Sequence, residues 1–287
     1  MKRALFAKVS ISALAPLVAL TLLSSAPASA ITWGELDDTG RYPNVGVFKV
    51  SLTAGGEMPG CSGTLIFPRV FLTAGHCTIV TQLYLALGIA NGVSVSFDWD
   101  ATSNGSTWLP VQMPGGVVTH PRYSGHGGAT DRYDIGALIL EEAVPDIDLA
   151  ILPEEGYLND LRSQGLLRRG KEEADFTVVG YGWTLDFPPP QFNVDPRRRY
   201  AESEYQALLK AWLRMSQNQA TGDGGTCYYD SGGPAFWTDP DTQVDILVGL
   251  TSWGDAVCVA SAFNYRTDTA SAIDFIEEVR VLAEQDN

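Results

Sequence analysis

The chain has 287 residues, 45% of them hydrophobic, with 34 acidic against 19 basic side chains and a formal net charge of −15. That is enough apolar material for a real core and a length that suits one two-lobed domain or two small ones. So acidic a balance argues against nucleic acid or anionic lipid as a partner, although acidity also serves solubility and names no partner by itself.

Lys2, Arg3 and Lys8 lead into an apolar run over about Ile11 to Leu23, and Ala28-Ser29-Ala30 follows. A positive head, a short apolar stretch and small residues predict a signal peptide, residues 1–30, cleaved after Ala30. As a membrane span the run falls short of about 20 apolar residues, and Pro16 interrupts it. Cleavage removes three bases and no acid, which takes the net charge from −15 to −18. The expected location is secreted, extracellular or periplasmic, with no membrane attachment after cleavage. Cys61, Cys77, Cys227 and Cys258 all follow the leader. Export favours disulfides over thiols, and four cysteines allow three pairings among which the sequence alone does not choose. No C-x-x-C or H-x-x-x-H spacing supports zinc. No metal and no cofactor is expected.

Short β-rich runs then alternate with Gly, Pro and Asn clusters: Val45 to Leu52, Cys61 to Phe67, Val118 to His120, Ile135 to Leu140, Phe176 to Val179 and Ile246 to Leu250. This spacing predicts an all-β barrel or sandwich. Gly88 to Gly105 reads as a loop or hairpin, with Asp98 and Asp100 as surface-loop acids ahead of a calcium site. Asn104-Gly105-Ser106 is a glycosylation sequon, meaningful in a eukaryotic secretory route. Residues 144–174 read as a connector between two lobes. Pro188-Pro189-Pro190 cannot sit in a central strand. Arg197-Arg198-Arg199 reads as a solvated charge run. From Ala270, the residues Ile273, Ile276, Val279 and Leu282 recur every three positions and predict an amphipathic helix over about 270–285.

Three histidines could serve a serine nucleophile as base: His76, His120 and His126. A serine hydroxyl needs such a base within hydrogen-bond reach and an orienter behind it. All three precede Ser231, which excludes the Ser–acid–His order of α/β-hydrolases. Tyr229 occupies the first Gly place of a G-x-S-x-G elbow and excludes that motif. A subtilisin order needs an Asp before His76, and Asp37 and Asp38 have no supporting motif. His76, Asp134 and Ser231 supply base, acid and nucleophile in chain order. Asp131 is the nearest rival to Asp134 but lacks the Ile-Gly-Ala-Leu that follows it.

At these residues the chain resembles a trypsin/chymotrypsin-like serine endopeptidase. Thr73-Ala74-Gly75-His76-Cys77 resembles the family's histidine box, and Asp134-Ile135-Gly136-Ala137-Leu138 its aspartate box, with His120-Pro121 upstream. Cys227-Tyr228-Tyr229-Asp230-Ser231-Gly232-Gly233-Pro234 resembles its serine box. Val179-Gly180-Tyr181-Gly182 resembles the Gly-Trp-Gly turn that opens the second barrel, and Ser252-Trp253-Gly254 the strand lining the primary pocket. The resemblance implies two six-stranded antiparallel β-barrels, the first over about 31–150 and the second over about 151–270, with the C-terminal helix after them. It implies disulfides Cys61–Cys77 and Cys227–Cys258. It gives His76 the role of general base, Asp134 that of orienter and Ser231 that of nucleophile. The backbone N–H groups of Tyr229 and Ser231 would form the oxyanion hole. Gly225, Ser252, Trp253 and Gly254 would bind substrate. Cleavage after Ala30 would leave Ile31 as a free ammonium that pairs with Asp230, so that removal of the leader alone activates the enzyme.

Two departures from the family pattern bear on function. Tyr229 stands where the family has Gly, and a side chain makes the backbone conformation needed there costly. The sequence therefore predicts a weakened hole and a Tyr229→Gly variant of higher turnover. In trypsins an Asp lies six residues before the serine, and that place is Gly225, with Asp223 two residues off. Arg/Lys preference is disfavoured, and Phe263 is expected to narrow the pocket wall. The reading is a secreted, monomeric serine endopeptidase acting on polypeptides through an acyl-enzyme, open to protein protease inhibitors. The alternatives are a catalytically impaired protease-fold binding protein, favoured by Tyr229, and an esterase using the same three residues.

Overall fold

The computed structural model describes residues 31–170, 174–186 and 191–285. The signal-peptide reading of residues 1–30 and the Pro188-Pro189-Pro190 reading lie outside the described residues.

Two antiparallel sheets carry the fold. The first is built from β2 (Val45–Leu52), β3 (Glu57–Phe67), β4 (Val70–Thr73), β5 (Ala90–Ser96), β6 (Leu109–Pro110), β7 (Val117–Thr119) and β8 (Gly136–Ile139), in the spatial order β6-β5-β2-β3-β4-β8-β7. It curls without a closing ladder, and a single bridge between Val111 and Leu140 draws its ends together. The β5 strand runs through the stretch whose composition reads as loop or hairpin. Val93 and Val95 alternate onto the buried face there, and β5 pairs with β2 along its length.

The second sheet closes. Strands β9 (Asp175–Gly180), β12 (Arg199–Leu208), β13 (Trp212–Ser216), β14 (Pro234–Thr238), β15 (Asp245–Gly254) and β16 (Ser261–Arg266) run β12-β13-β16-β15-β14-β9, and β9 returns to pair with β12. The architecture is thus one closed six-stranded barrel and one curled half-barrel, the expected all-β, two-lobed fold. A hairpin of β10 (Trp183–Asp186) and β11 (Gln191–Val194) projects beside them.

Both ends of the described chain cross between the lobes. β1 (Glu35–Leu36) adds to β12, and Thr32 bridges to Gly225, so residues 31–36 belong to the second sheet although they precede the first. The C-terminal helix, α3 (Ala270–Gln285), packs on the first: Phe275, Ile276 and Val279 join one core cluster with Val70, Leu72 and Ile139. Its buried stripe is Ala272, Phe275, Ile276, Val279 and Ala283, while Leu282 is exposed. Residues nine apart on a helix lie about 180° around it, so a strict three-residue repeat cannot keep Ile273 and Leu282 on one face.

Two shorter helices complete the fold. α1 (Gly75–Ala86) follows β4 directly, and α2 (Tyr157–Ser163) lies within the connector. Among the described residues no helix is long and apolar enough to cross a membrane.

Arg198 and Arg199 are buried, which corrects their reading as a solvated run. Arg198 Nε lies 2.7 Å from Asp37 Oδ2, and its Nη1 donates to the carbonyls of Val45 and Phe97 in the first sheet. A buried guanidinium persists where it is paired and hydrogen-bonded, as Arg198 is through Nε and Nη1. Arg197 and Arg199 both pair with Asp195.

Candidate functional site

His76 sits in the first turn of α1, where N–H groups have no intrahelical acceptor. Ala74 at the N-cap has no side-chain oxygen to offer. Asp134, two residues before β8, supplies the acceptor instead: its Oδ1 takes the His76 backbone N–H at 2.7 Å. The same buried carboxylate lies 2.9 Å from His76 Nδ1 and accepts from Ser252 Oγ. A carboxylate only accepts, so the Nδ1 position carries the proton and the neutral ring keeps Nε2 as its acceptor. Burial of the ring works against its charge, but the charge and hydrogen bond of Asp134 outweigh this and raise the His76 pKa above the usual 6.5. The Cys61–Cys77 disulfide ties the first turn of α1 to β3.

Ser231 lies on a turn fixed through Asp230, which is fully buried. The Asp230 carboxylate accepts the N–H of Gly182 and of Cys227, each at 2.8 Å, and that of Ile31. A Cβ at Gly180 would stand 2.1 Å from Asp230 Oδ1, and one at Gly182 would stand 2.4 Å from the Tyr228 carbonyl. The two glycines around Tyr181 are therefore what lets the serine turn approach β9. Desolvation pushes Asp230 up to about 7, with the three N–H donors opposing it. Ile31, the first described residue, is completely buried.

Tyr229 adopts φ = +71°. The left-handed conformation costs a non-glycine residue about 1–2 kcal/mol. The flanking peptides are nevertheless held: the Tyr228 carbonyl accepts from Trp183 N–H at 2.7 Å, and the Tyr229 carbonyl from Ser62 Oγ at 3.2 Å. In a trans peptide the N–H points opposite to the C=O, so anchoring the Tyr228 carbonyl on β10 turns the Tyr229 N–H the other way. The Tyr229 ring packs 5.1 Å from that of Trp183, a contact of about 0.5–1.5 kcal/mol, comparable with the strain. The backbone N–H groups of Tyr229 and Ser231 have no acceptor among the described residues.

Two cavities meet at Ser231. One, of about 310 Å3, is bounded by Thr226 to Tyr229, by Thr251 to Ala256 and by Cys258, whose disulfide to Cys227 joins its two sides. The other is an apolar groove of about 440 Å3 that includes His76, Phe48, Val50, Met58, Trp183 and Tyr229. Of the expected substrate-binding residues, Ser252, Trp253 and Gly254 line the first cavity. Gly225 does not; it pairs with Thr32 and lies against Gln217, whose Cγ would be 2.3 Å from a Cβ at 225. Gln217 is fully buried, its Nε2 donates to the Thr226 carbonyl and its Oε1 has no partner. The sequence carries no local signal for Gln217, which arrives from the end of β13. Phe263, expected to narrow the pocket, instead stacks on Trp253 with ring centroids 3.7 Å apart and Arg214 over its face.

The remaining candidates stand apart. His120 is buried between Tyr133 and Phe275, bonded to Ser271 Oγ and to Arg122 N–H, and burial holds its pKa below the usual value. His126 is exposed and bonds Ser124. Asp131 organises that loop by accepting from Ser124 and His126. Asp98 and Asp100 accept from Thr107 and Thr102 within their own loop. Among the described residues the cluster of potential metal ligands is Cys61, Cys77 and His76, and its sulfurs are joined in the disulfide.

The family model described as Trypsin matches residues 37–276. Lectizyme of Glossina austeni is 28% identical over 256 residues, covering 86% of this chain and 85% of that protein. Trypsin of Saccharopolyspora erythraea is 28% identical over 214 residues, covering 72% and 81%. The solved structure of HL collagenase superposes with a TM-score of 0.60 at 18% identity, covering 85% of this chain and 96% of that one, which is a likeness of fold. With its two lobes, its disulfides and a match across most of its length, this chain belongs to the trypsin family of serine proteases.

Proposed function

We propose that the protein is a secreted endopeptidase that hydrolyses peptide bonds through a Ser231 acyl-enzyme. The observation that carries the proposal is the Asp134–His76 pair, which fixes the His76 tautomer in the groove that Ser231 also lines, on a turn that presents two unpaired N–H donors. His76 Nε2 takes the Ser231 hydroxyl proton as Oγ attacks the carbonyl carbon. The oxyanion is stabilised by the N–H groups of Tyr229 and Ser231. His76 then gives the proton to the leaving amine, and water repeats the sequence to release the acid. Asp134 keeps the ring oriented and stabilises its cationic form, while Ser252 bonds the carboxylate from the other side.

The burial of Ile31 against Asp230 supports leader removal as the activating event, because a cleaved chain places an ammonium where the intact chain has an amide N–H. An uncharged side chain suits the first cavity, because the one acid on its lining, Asp255, spends its carboxylate on the N–H groups of Val259, Ala260 and Ser261. The left-handed backbone of Tyr229, with its N–H free, supports the catalytic reading over a binding-only role.

The test is digestion of a mixed peptide library by the protein beginning at Ile31, with products read by mass spectrometry. Internal cleavages that vanish in both Ser231→Ala and His76→Ala are expected. A folded protein that cleaves activated esters but no peptide would replace the endopeptidase with an esterase, and one that does neither would leave a binding protein.

A further inference from the structure

Tyr229 holds a backbone conformation that its side chain disfavours, and the adjacent hairpin carries an aromatic ring against it. We propose that Trp183 is a positioning residue: its indole clamps Tyr229 in the left-handed conformation and thereby keeps the Tyr229 N–H available to the oxyanion. The inference rests on the proposed protease reading and adds to it the device that lets a tyrosine occupy this place.

Three observations converge. The Trp183 and Tyr229 rings lie 5.1 Å apart at 34°, and the Trp183 indole also meets Tyr228 at 5.7 Å and Phe192 at 6.2 Å. The backbone N–H of Trp183 holds the carbonyl of the peptide whose N–H belongs to Tyr229. Phe192, on the paired strand β11, packs edge-on to Tyr228 at 5.5 Å and Tyr228 Oη reaches the Ala256 carbonyl, so the cluster is braced on both sides. A glycine at 229 would need none of this, because it visits φ near +71° without strain. The clamp is thus required only because residue 229 carries a side chain, and that dependence is measurable.

The experiment is a double-mutant cycle on the protein beginning at Ile31, read by the rate of fluorophosphonate labelling of Ser231 and by kcat and KM for a peptide substrate. Trp183→Ala keeps the backbone N–H and removes the ring. It is expected to slow labelling and lower kcat roughly 5- to 10-fold in the tyrosine background. Against the rate of the Tyr229→Gly variant itself, whatever that is, adding Trp183→Ala is expected to make a difference of less than about twofold. Trp183→Phe, which keeps a ring, is expected to restore most of the rate, and it carries the cycle if Trp183→Ala does not fold. An equal loss in both backgrounds, or a rise in KM with kcat unchanged, overturns the clamp and makes Trp183 a wall of the apolar groove. Labelling of Trp183→Ala at the wild-type rate overturns it as well. A wild-type chain with no Ser231-dependent labelling overturns the protease reading itself, and the clamp with it.

Discussion

The Gln217 side chain occupies the space that any side chain at Gly225 would need, with its Cγ 2.3 Å and its Nε2 2.4 Å from the position of a Cβ there. A single Gly225→Asp change therefore cannot place a carboxylate at the base of the cavity. It forces Gln217 out of a hydrogen bond to Thr226 and is expected to cost stability, about 1–3 kcal/mol, without creating Arg/Lys preference. Pairing it with Gln217→Gly vacates the space, and the double variant is expected to gain cleavage after Arg or Lys. Substrate profiling of both variants checks this. Basic preference in the single variant would mean that Gln217 moves freely.

The general base must be neutral to accept the Ser231 proton, and Asp134 holds the His76 pKa above 6.5. Activity is expected to fall as pH drops through that raised value. In Asp134→Asn the inflection moves downward, and kcat falls about 10,000-fold because the ring loses its fixed tautomer. A kcat/KM profile from pH 4.5 to 9 reads both effects.

Asp230 gives a stability signature. While residue 30 remains attached, Ile31 offers an amide N–H, and burial holds the carboxyl near 7 against an ordinary 3.8. The folded state then keeps a proton that the unfolded state has lost. The contribution is complete below pH 3.8 and disappears as pH rises through about 7. A chain blocked ahead of Ile31 is expected to be a few kcal/mol less stable to urea at pH 8 than at pH 5, relative to a blocked Asp230→Asn control. With Ile31 free, its ammonium supplies the missing charge and the difference shrinks. Equal pH dependence in blocked and free chains would contradict the ion pair.

The Asp37–Arg198 pair is buried between the lobes. Arg198→Met strands the Asp37 carboxylate with only the N–H groups of Arg41 and Tyr42, and is expected to cost roughly 3–5 kcal/mol by urea unfolding.

Much of the fold was legible because its strands alternate or run apolar between clear turn signals: Val45–Leu52 emerges with the expected bounds, and Ile135 to Leu140 contains β8. α1 was not, because its buried residues are Gly75, Cys77, Thr78 and Thr81, which leave no apolar stripe to read. Arg198 looked solvated because its carboxylate lies 161 residues away. The motifs named His76, Asp134 and Ser231, and the first two meet in a hydrogen bond. What they could not convey was the conformation of Tyr229, since the groups that hold it, Trp183 and Ser62, come from strands distant in sequence. Gln217 was hidden for the same reason: its role depends on a close approach to Gly225 that only the packed barrel creates.

The most direct test is the stoichiometry of fluorophosphonate labelling of the purified protein beginning at Ile31, measured by intact mass beside Ser231→Ala. One adduct per chain, mapped to Ser231, slowed in His76→Ala and absent from Ser231→Ala, is the predicted result. A folded protein with its N-terminus at Ile31 that takes up no adduct would contradict an activated Ser231.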